Sequence, residues 1–236
     1  MTRQLFEEQL NLIQNESIRQ FTAAVLDAAP RAYFIREASS TNKYHPPSSR
    51  GYQGLLRHVK RCVYIAEQLL RNDIYAKLRP QHDVIISALI LHDSKKYGDN
   101  NSQYSLKNHA ELAAYWIADF EYEGIIDIDI KKQIAQLVLT HMGQWGKVVP
   151  SNSLEKFVHL CDYIASLKEL EKEVEEMPID DMNKNAKEIA DNPSYEQLNL
   201  FSDDSNEQIT QAVLNEEQKQ QIINNTNDEF LKDILS

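Results

Sequence analysis

Glycine, alternating β-branched segments and long apolar runs are all scarce in this chain of 236 residues. With six glycines and few stretches of alternating valine, isoleucine and threonine, the sequence lacks what a sheet-rich fold requires. No run of about 18 apolar residues occurs, so we expect no membrane-spanning helix and no membrane partner. The amphipathic, acidic amino terminus, MTRQLFEEQL, does not have the pattern of a secretion signal. Together these absences predict a cytoplasmic protein.

Cysteine is also rare, because only Cys62 and Cys161 occur. Both lie within helical patterns, and their spacing is not that of a cysteine metal site. We therefore expect two reduced thiols in the core, as is usual for cytoplasmic proteins.

The abundant residues indicate an all-α fold. Leucine, alanine, glutamate, glutamine and lysine are strong helix formers, and a hydrophobic content of 42% allows one substantial core. Apolar periodicity predicts helices over residues 3–28, 55–70, 107–120, 128–141 and 151–170. Ser151 or Ser153 is the candidate N-cap of the last of these helices. Prolines, serines and a glycine predict a loop over residues 38–53.

The net charge of −11 is unevenly distributed. Residues 171–236 hold 17 of the 36 acidic residues but only 5 of the 25 basic ones, so the preceding part is close to neutral. The acidic total therefore does not exclude a nucleic-acid partner. We expect a folded domain over residues 1–175 and an acidic linker with a helical or partly disordered tail over 176–236.

An apolar run from Val84 to Leu91, with one serine, ends abruptly in His92 and Asp93. Its composition and helical surroundings predict a helix buried nearly all round. An imidazole and a carboxylate at the end of such a helix are costly to bury unless they are paired or bind a metal. For this pair alone, a simple His–Asp hydrogen bond is the alternative.

Further metal-ligating residue types lie on or at the ends of the other predicted helices: His58, His109, His141 and Asp162. Imidazoles and carboxylates suit Mn²⁺, Fe²⁺, Zn²⁺ or Mg²⁺. Because the residues come from separate helices, their spacing alone does not establish a common site.

The pattern resembles the HD superfamily of metal-dependent phosphohydrolases, whose motif runs H, then HD, then a distant D. These positions fall on His58, His92, Asp93 and Asp162. GLLRHVKR resembles the family's GLLxHT segment with Val59 for threonine, and HLCDYIAS resembles its closing LHxAD segment. HDSKKYG resembles HDIGK, which places Lys96 on the family's lysine.

The resemblance implies a helical HD bundle with a metal site in its core. One ion would be held by the four motif residues and a second by His109 and His141, with Asp93 bridging both. Asp93 and Lys96 would be the catalytic residues. The implied function is hydrolysis of phosphoester bonds, as a phosphodiesterase or 3′-to-5′ nuclease. A nucleotide phosphatase or dNTP triphosphohydrolase is the alternative.

Residues outside the motif are candidates for substrate binding. The loop KYHPPSSRG resembles a segment of nuclease-like family members, so Lys43, Arg50 and Arg57 are candidates for binding substrate phosphates, with solvated surface charges as the alternative. Trp145 could stack on a base or simply cover the core. The remaining histidines are expected at the surface or in ordinary hydrogen bonds: His45, His82 and His159.

A short peptide in the acidic tail resembles the QL[SD]LF peptide with which replication proteins bind the sliding clamp. Its matching residues are Gln197, Leu198, Leu200 and Phe201, and Asn199 departs from the pattern. A segment that packs back onto the helical domain is the alternative. If the peptide binds a clamp, it would tether the hydrolase to DNA, or it would be the main function of a non-catalytic HD scaffold.

Overall fold

A computed structural model describes residues 2–41 and 45–168. This part of the chain is helical and contains no strand, so the predicted all-α class is confirmed. Lys43, the tail over 176–236 and the clamp-like peptide lie outside the described residues. The α-helices are α1 (Glu7–Leu10), α2 (Glu16–Ala28), α3 (Arg31–Ile35), α4 (Gly54–Leu70), α5 (His82–Leu91), α6 (His109–Asp119), α7 (Ile128–Thr140) and α8 (Ser153–Ser166). Short 3₁₀ helices span Thr2–Phe6, Pro47–Ser49, Asp73–Gln81 and Gly143–Trp145.

Helix α5 lies at the centre of the bundle, in contact with α2, α4, α7 and α8. Every residue from Val84 to Leu91 is buried, which confirms the predicted core helix. The one polar side chain in this run, Ser87, shares a hydrogen bond of 2.7 Å with Thr22 of α2. The buried hydroxyl of Ser87 therefore has a hydrogen-bond partner, as buried polar groups usually do.

Helix α4 matches its predicted range, and its apolar face packs on α5 and α8. Its first residue, Gly54, has no room for a side chain, because the preceding loop packs directly against it. A Cβ on Gly54 would lie 2.2 Å from the carbonyl oxygen of Ser49. The glycine thus lets the 3₁₀ turn Pro47–Ser49 pack directly on the start of α4.

The prediction of one continuous helix over residues 3–28 is wrong. The chain leaves the helical path between α1 and α2, where the side chain of Asn15 accepts a hydrogen bond from the Ile18 amide at 3.2 Å. Asp83 of α5 stabilises this break by accepting hydrogen bonds from the Gln14 and Asn15 amides at 3.1 and 2.6 Å. Because the break depends on a residue from another helix, the local apolar pattern does not reveal it.

Helices α6, α7 and α8 lie close to their predicted ranges, but the expected N-cap of α8 is wrong. The cap is Asn152, whose side-chain oxygen accepts from the amides of Leu154 and Glu155, both at 3.0 Å. Ser151 instead donates its amide and hydroxyl to the Glu155 carboxylate. Helix α3 and the 3₁₀ helix Asp73–Gln81 were not predicted. Within the described ranges no helix is long and apolar enough to cross a membrane.

Candidate metal centre

Helix ends and helix faces bring the motif side chains to one buried point. His58 lies on α4 and Asp162 on α8, while His109 begins α6. His92 and Asp93 follow α5 directly, and His141 follows α7. All are buried except Asp162, whose side chain is 17% exposed. The structure thus brings together the six candidate metal ligands: His58, His92, Asp93, His109, His141 and Asp162.

Asp93 is the centre of this cluster, and its two oxygens face different histidines. Its Oδ1 lies 3.0 Å from His109 Nε2 and 3.6 Å from His141 Nε2. Its Oδ2 lies 3.5 Å from His92 Nε2 and 3.9 Å from His58 Nε2. A carboxylate placed in this way is suited to bridge two ligand sets.

Asp162 closes the α4 side of the cluster. Its Oδ1 lies 2.9 Å from His58 Nε2 and 3.7 Å from His92 Nε2. The ligand atoms form two groups, and within each group they all lie within 4.8 Å of one another, so that each group could hold a metal ion. They are His58, Cys62, His92 and Asp162, and His92, Asp93 and His141.

Backbone carbonyls fix which nitrogen of three histidines faces the centre. The Nδ1 atoms of His92, His109 and His141 each donate to the carbonyl oxygen of the residue three positions earlier, at 2.7 Å. In the neutral ring, Nε2 then carries the lone pair. Hydrogen bonds of this kind orient histidine ligands in metal sites.

The donor atoms of the cluster fit a divalent cation. His109 Nε2 and His141 Nε2 lie 3.3 Å apart, and His92 Nε2 and Asp93 Oδ1 have no hydrogen-bond partner within the described part of the chain. Lone pairs and carboxylate oxygens that face one another repel unless a proton or a cation lies between them. The cluster could therefore hold a metal ion, and its nitrogen and oxygen donors suit several divalent metals.

The charges in the cluster favour ionised carboxylates and a neutral His141, whereas the carboxylates raise the pKa of His92 against the effect of burial. Burial opposes ionisation of Asp93, but Lys96 and His92 outweigh it and hold its pKa well below the usual range. Burial also opposes ionisation of Asp162, but the adjacent His58 and His92 outweigh it, so the pKa of Asp162 is also lowered. Burial lowers the pKa of His141 to about 4. At neutral pH both carboxylates are charged and His141 is a neutral donor.

Lys96 places a positive charge on the cluster. Its Nζ lies 2.6 Å from Asp93 Oδ2. Burial alone would lower the pKa of the amine, but the charges of Asp93 and Asp162 outweigh it and raise that pKa. The neighbouring Lys95 points elsewhere, pairing with Asp99 and lying 3.9 Å from the centre of the Trp116 ring.

Cys62 belongs to this cluster, which the sequence analysis missed. It is a buried free thiol, as expected, but its Sγ lies 3.6 Å from His58 Nε2. Burial raises the pKa of the thiol well above its usual value. The available signal was its position four residues after His58, which places both on one face of α4.

His45 lies against the cluster, contrary to the expectation that it is an ordinary surface or hydrogen-bonded histidine. It is 9% exposed, and its ring stacks on that of His58 with centroids 4.7 Å apart and planes 14° apart. Burial and the nearby His58 and Lys96 lower its pKa to about 3. Its loop position gave no sign of this burial.

The arginine candidates for substrate binding lie in or against the loop before α4. The guanidinium of Arg57 donates to the carbonyl oxygens of Ser48, Arg50 and Tyr52. Arg57 therefore holds the loop, and the side chain of Arg50 lies at an exposed position. The structure does not bring either guanidinium into the histidine cluster.

Trp145 lies beside the cluster in an exposed aromatic pair. It is 58% exposed and stacks on Tyr163, with centroids 5.7 Å apart. The ring of His159 contacts both, and its Nδ1 donates to the His141 carbonyl at 2.7 Å. Gly143 permits this packing, because it has φ of +58° and a Cβ there would lie 2.3 Å from the His159 ring.

Comparisons of the chain with protein-family models, with curated proteins and with solved structures find no match.

Proposed function

We propose that the chain is an HD-type, divalent-metal-dependent phosphohydrolase, and that it acts as a phosphodiesterase or 3′-to-5′ nuclease. The observation that carries the proposal is the convergence of six histidine and aspartate side chains from separate segments at one buried point. Four of them follow the H, HD, D order of the HD motif. Buried polar side chains in an ordinary protein core are usually hydrogen-bonded, so a cluster that buries several unpaired metal-ligating atoms indicates a binding site.

The two faces of Asp93 support a site for two ions. Oδ2 faces His58 and His92, which would hold the first ion together with Asp162. Oδ1 faces His109 and His141, which would hold the second. Bound divalent ions would supply Lewis-acid polarisation of the phosphoryl oxygens and would lower the pKa of an attacking water.

The chain's own residues have distinct tasks in such a reaction. The carbonyl partners of His92, His109 and His141 hold the imidazoles in one tautomer and orientation. Lys96 is positioned to offset negative charge as it develops on the phosphoryl group. Burial excludes water from most of the cluster, which strengthens these electrostatic interactions.

The exposed aromatic pair supports a substrate that carries a base. Trp145 and Tyr163 present ring surface to solvent, and His159 connects both rings to the backbone of the ligand His141. Aromatic side chains in such positions stack on unpaired bases regardless of sequence. This favours single-stranded nucleic acid over small phosphoesters without a base.

Hydrolysis assays with purified full-length protein test the proposal. We expect turnover of bis-p-nitrophenyl phosphate with Mn²⁺ or another divalent ion, at one to two bound ions per chain by elemental analysis. Labelled single-stranded DNA and RNA, a cyclic dinucleotide and dNTPs are compared in parallel. Metal-loaded protein that hydrolyses none of these compounds would contradict the proposed function, whereas a preference for dNTPs would replace the nuclease by a triphosphohydrolase.

The aromatic pair has its own control. Trp145→Ala should slow hydrolysis of single-stranded nucleic acid about tenfold, since loss of base stacking costs roughly 1–3 kcal/mol. Hydrolysis of bis-p-nitrophenyl phosphate should change little. Tyr115→Ala is the matched control, because Tyr115 is an exposed aromatic residue on α6 and does not belong to the pair.

A further inference from the structure

His45 has a buried polar ring that the metal-ligand set does not use. The side chain is nine-tenths buried, yet neither Nδ1 nor Nε2 has a hydrogen-bond partner in the part of the chain that the structure describes. A buried polar atom without a partner destabilises the folded state, and such atoms are rare in native structures. This cost is explained if the partner is supplied by a bound ligand.

The ring faces the reactive part of the molecule. It stacks on His58, the residue that contacts Asp162 at 2.9 Å. A ligand that binds at the His58 side of the cluster would therefore lie beside the His45 ring.

The segment that follows His45 is held by backbone and arginine hydrogen bonds. Two prolines follow His45, and the amides of Ser49 and Arg50 bond to the carbonyls of those prolines at 3.0 and 3.1 Å. The Ser49 carbonyl accepts the Ala38 amide at 3.0 Å. Arg57 holds three carbonyls of the same loop. His45 therefore lies next to a turn that these hydrogen bonds hold in place.

We propose that His45 is a substrate-contacting residue whose ring N–H donates a hydrogen bond to a phosphoryl oxygen of the substrate. An imidazole carries at least one N–H in either protonation state, so it can donate whichever form is present. This inference rests on the proposed phosphohydrolase function and adds a recognition residue to it. His45 contacts the substrate, whereas the six cluster residues bind metal.

The test compares three full-length variants loaded with Mn²⁺. His45→Phe keeps an aromatic ring against His58 but removes the N–H, whereas His45→Asn and His45→Gln each keep an N–H donor. We expect His45→Phe to lower kcat/KM for bis-p-nitrophenyl phosphate about 100-fold, at the lower end of the range for other lost donors to a reacting oxygen. The dissociation constant for inorganic phosphate, measured by calorimetry, should rise roughly tenfold in this variant. At least one amide variant should recover part of both losses.

Metal content separates this role from the others. We expect the same number of bound ions in all three variants and in the wild type. Loss of metal from His45→Phe would make His45 a ligand and would overturn the inference. Wild-type kinetics in His45→Phe, or equal losses in all three variants, would also overturn it. If His45→Phe does not fold, as judged by circular dichroism, His45→Ala takes its place. A wild-type protein without turnover would instead refute the proposed function.

Discussion

Asp93 is surrounded by ionisable side chains. Its two oxygens face four histidine nitrogens at 3.0 to 3.9 Å, and Lys96 contacts Oδ2. If two ions bind, this carboxylate serves both of them. Its loss should then affect the whole centre rather than one ligand position.

Asp93→Ala should reduce hydrolysis of bis-p-nitrophenyl phosphate to below about 1% of the wild-type rate, because metal-supplied charge stabilisation amounts to several kcal/mol. The measurement is steady-state turnover at saturating Mn²⁺. Asp99→Ala is the control, since Asp99 lies in the same turn but its side chain is 73% exposed and pairs with Lys95. Activity well above this level in Asp93→Ala would contradict a bridging role.

Lys96→Ala should slow turnover by a factor of about 10² to 10³, as expected for loss of one charge next to the reacting phosphoryl group. Bound metal, measured by elemental analysis, should stay unchanged. Lys95→Ala provides the comparison, because the adjacent Lys95 pairs with Asp99 and contacts Trp116 instead of Asp93. Metal loss in Lys96→Ala would show that this lysine supports the ligands and not the substrate.

The sequence predicts some of these residues and misses others for physical reasons. The resemblance to the HD motif picks out His58, His92, Asp93 and Asp162, because the motif defines their order along the chain. Cys62 was missed because a buried cysteine on a helix face is usually plain core. The burial of His45 depends on the packing of a loop against α4, which no local periodicity encodes.

At the scale of the elements, α5 and the break before α2 depend on each other. Asp83 in the first turn of α5 binds the amides of Gln14 and Asn15. It also accepts from His82 Nδ1 at 2.9 Å, while His82 Nε2 contacts Glu67. The expectation that His82 is an ordinary hydrogen-bonded histidine is confirmed.

This network makes stability depend on pH. Burial would lower the pKa of His82, but its hydrogen bonds to Asp83 and Glu67 outweigh burial and raise that pKa. A raised pKa in the folded state means that the contribution is fully present below about pH 6.5, the unfolded value, and is lost as pH rises through the folded value. The pKa of Asp83 is lowered, so this carboxylate stays charged throughout that range.

His82→Gln should therefore lower the free energy of unfolding by roughly 1 kcal/mol in mildly acidic solution and by less in alkaline solution. Urea unfolding across this pH range, with metal held constant, measures the difference. Glu67→Gln removes only one partner and should show a smaller change of the same sign. A difference that grows with pH would contradict the assignment.

The helices themselves were predictable where the apolar pattern is local. The range of α4 and the burial of α5 follow from side-chain periodicity and composition. The break between α1 and α2 does not, because Asp83 stabilises it from 68 positions away. The cap of α8 was misplaced by one position, since asparagine and serine are similarly good caps and both occur there.

At the scale of the molecule, the candidate metal ligands come from α4, α6, α8 and the residues that follow α5 and α7. A bound ion would therefore connect most of the helical core. Such a ligand binds the folded state only and stabilises all of it. The helical class could be predicted from composition, whereas the convergence of these helices at one point is expected only from the resemblance to the HD motif. The domain boundary near residue 175 stays a prediction, because the described part of the chain ends at residue 168.

Removing the metal with a chelator should lower the melting temperature of the whole protein. At a metal concentration about 100 times the dissociation constant, the stabilisation is about 2.7 kcal/mol. For a domain of this size, this corresponds to a shift of roughly 5–10 °C. Calorimetric scans with Mn²⁺ and with excess chelator measure it, and Asp93→Ala should show a much smaller shift. Equal melting temperatures in the wild type would contradict metal binding at the cluster.

The carbonyl bonds of His92 and His141 also have a consequence for selectivity. Each imidazole closes the last turn of its own helix, α5 or α7, with the same hydrogen bond that directs Nε2 inward. The same hydrogen bond thus contacts the end of the helix and orients the Nε2 atom. An outward movement of either ring to accommodate a larger cation would break this hydrogen bond. The two carbonyl contacts would thus limit the size of the ion that the cluster accepts.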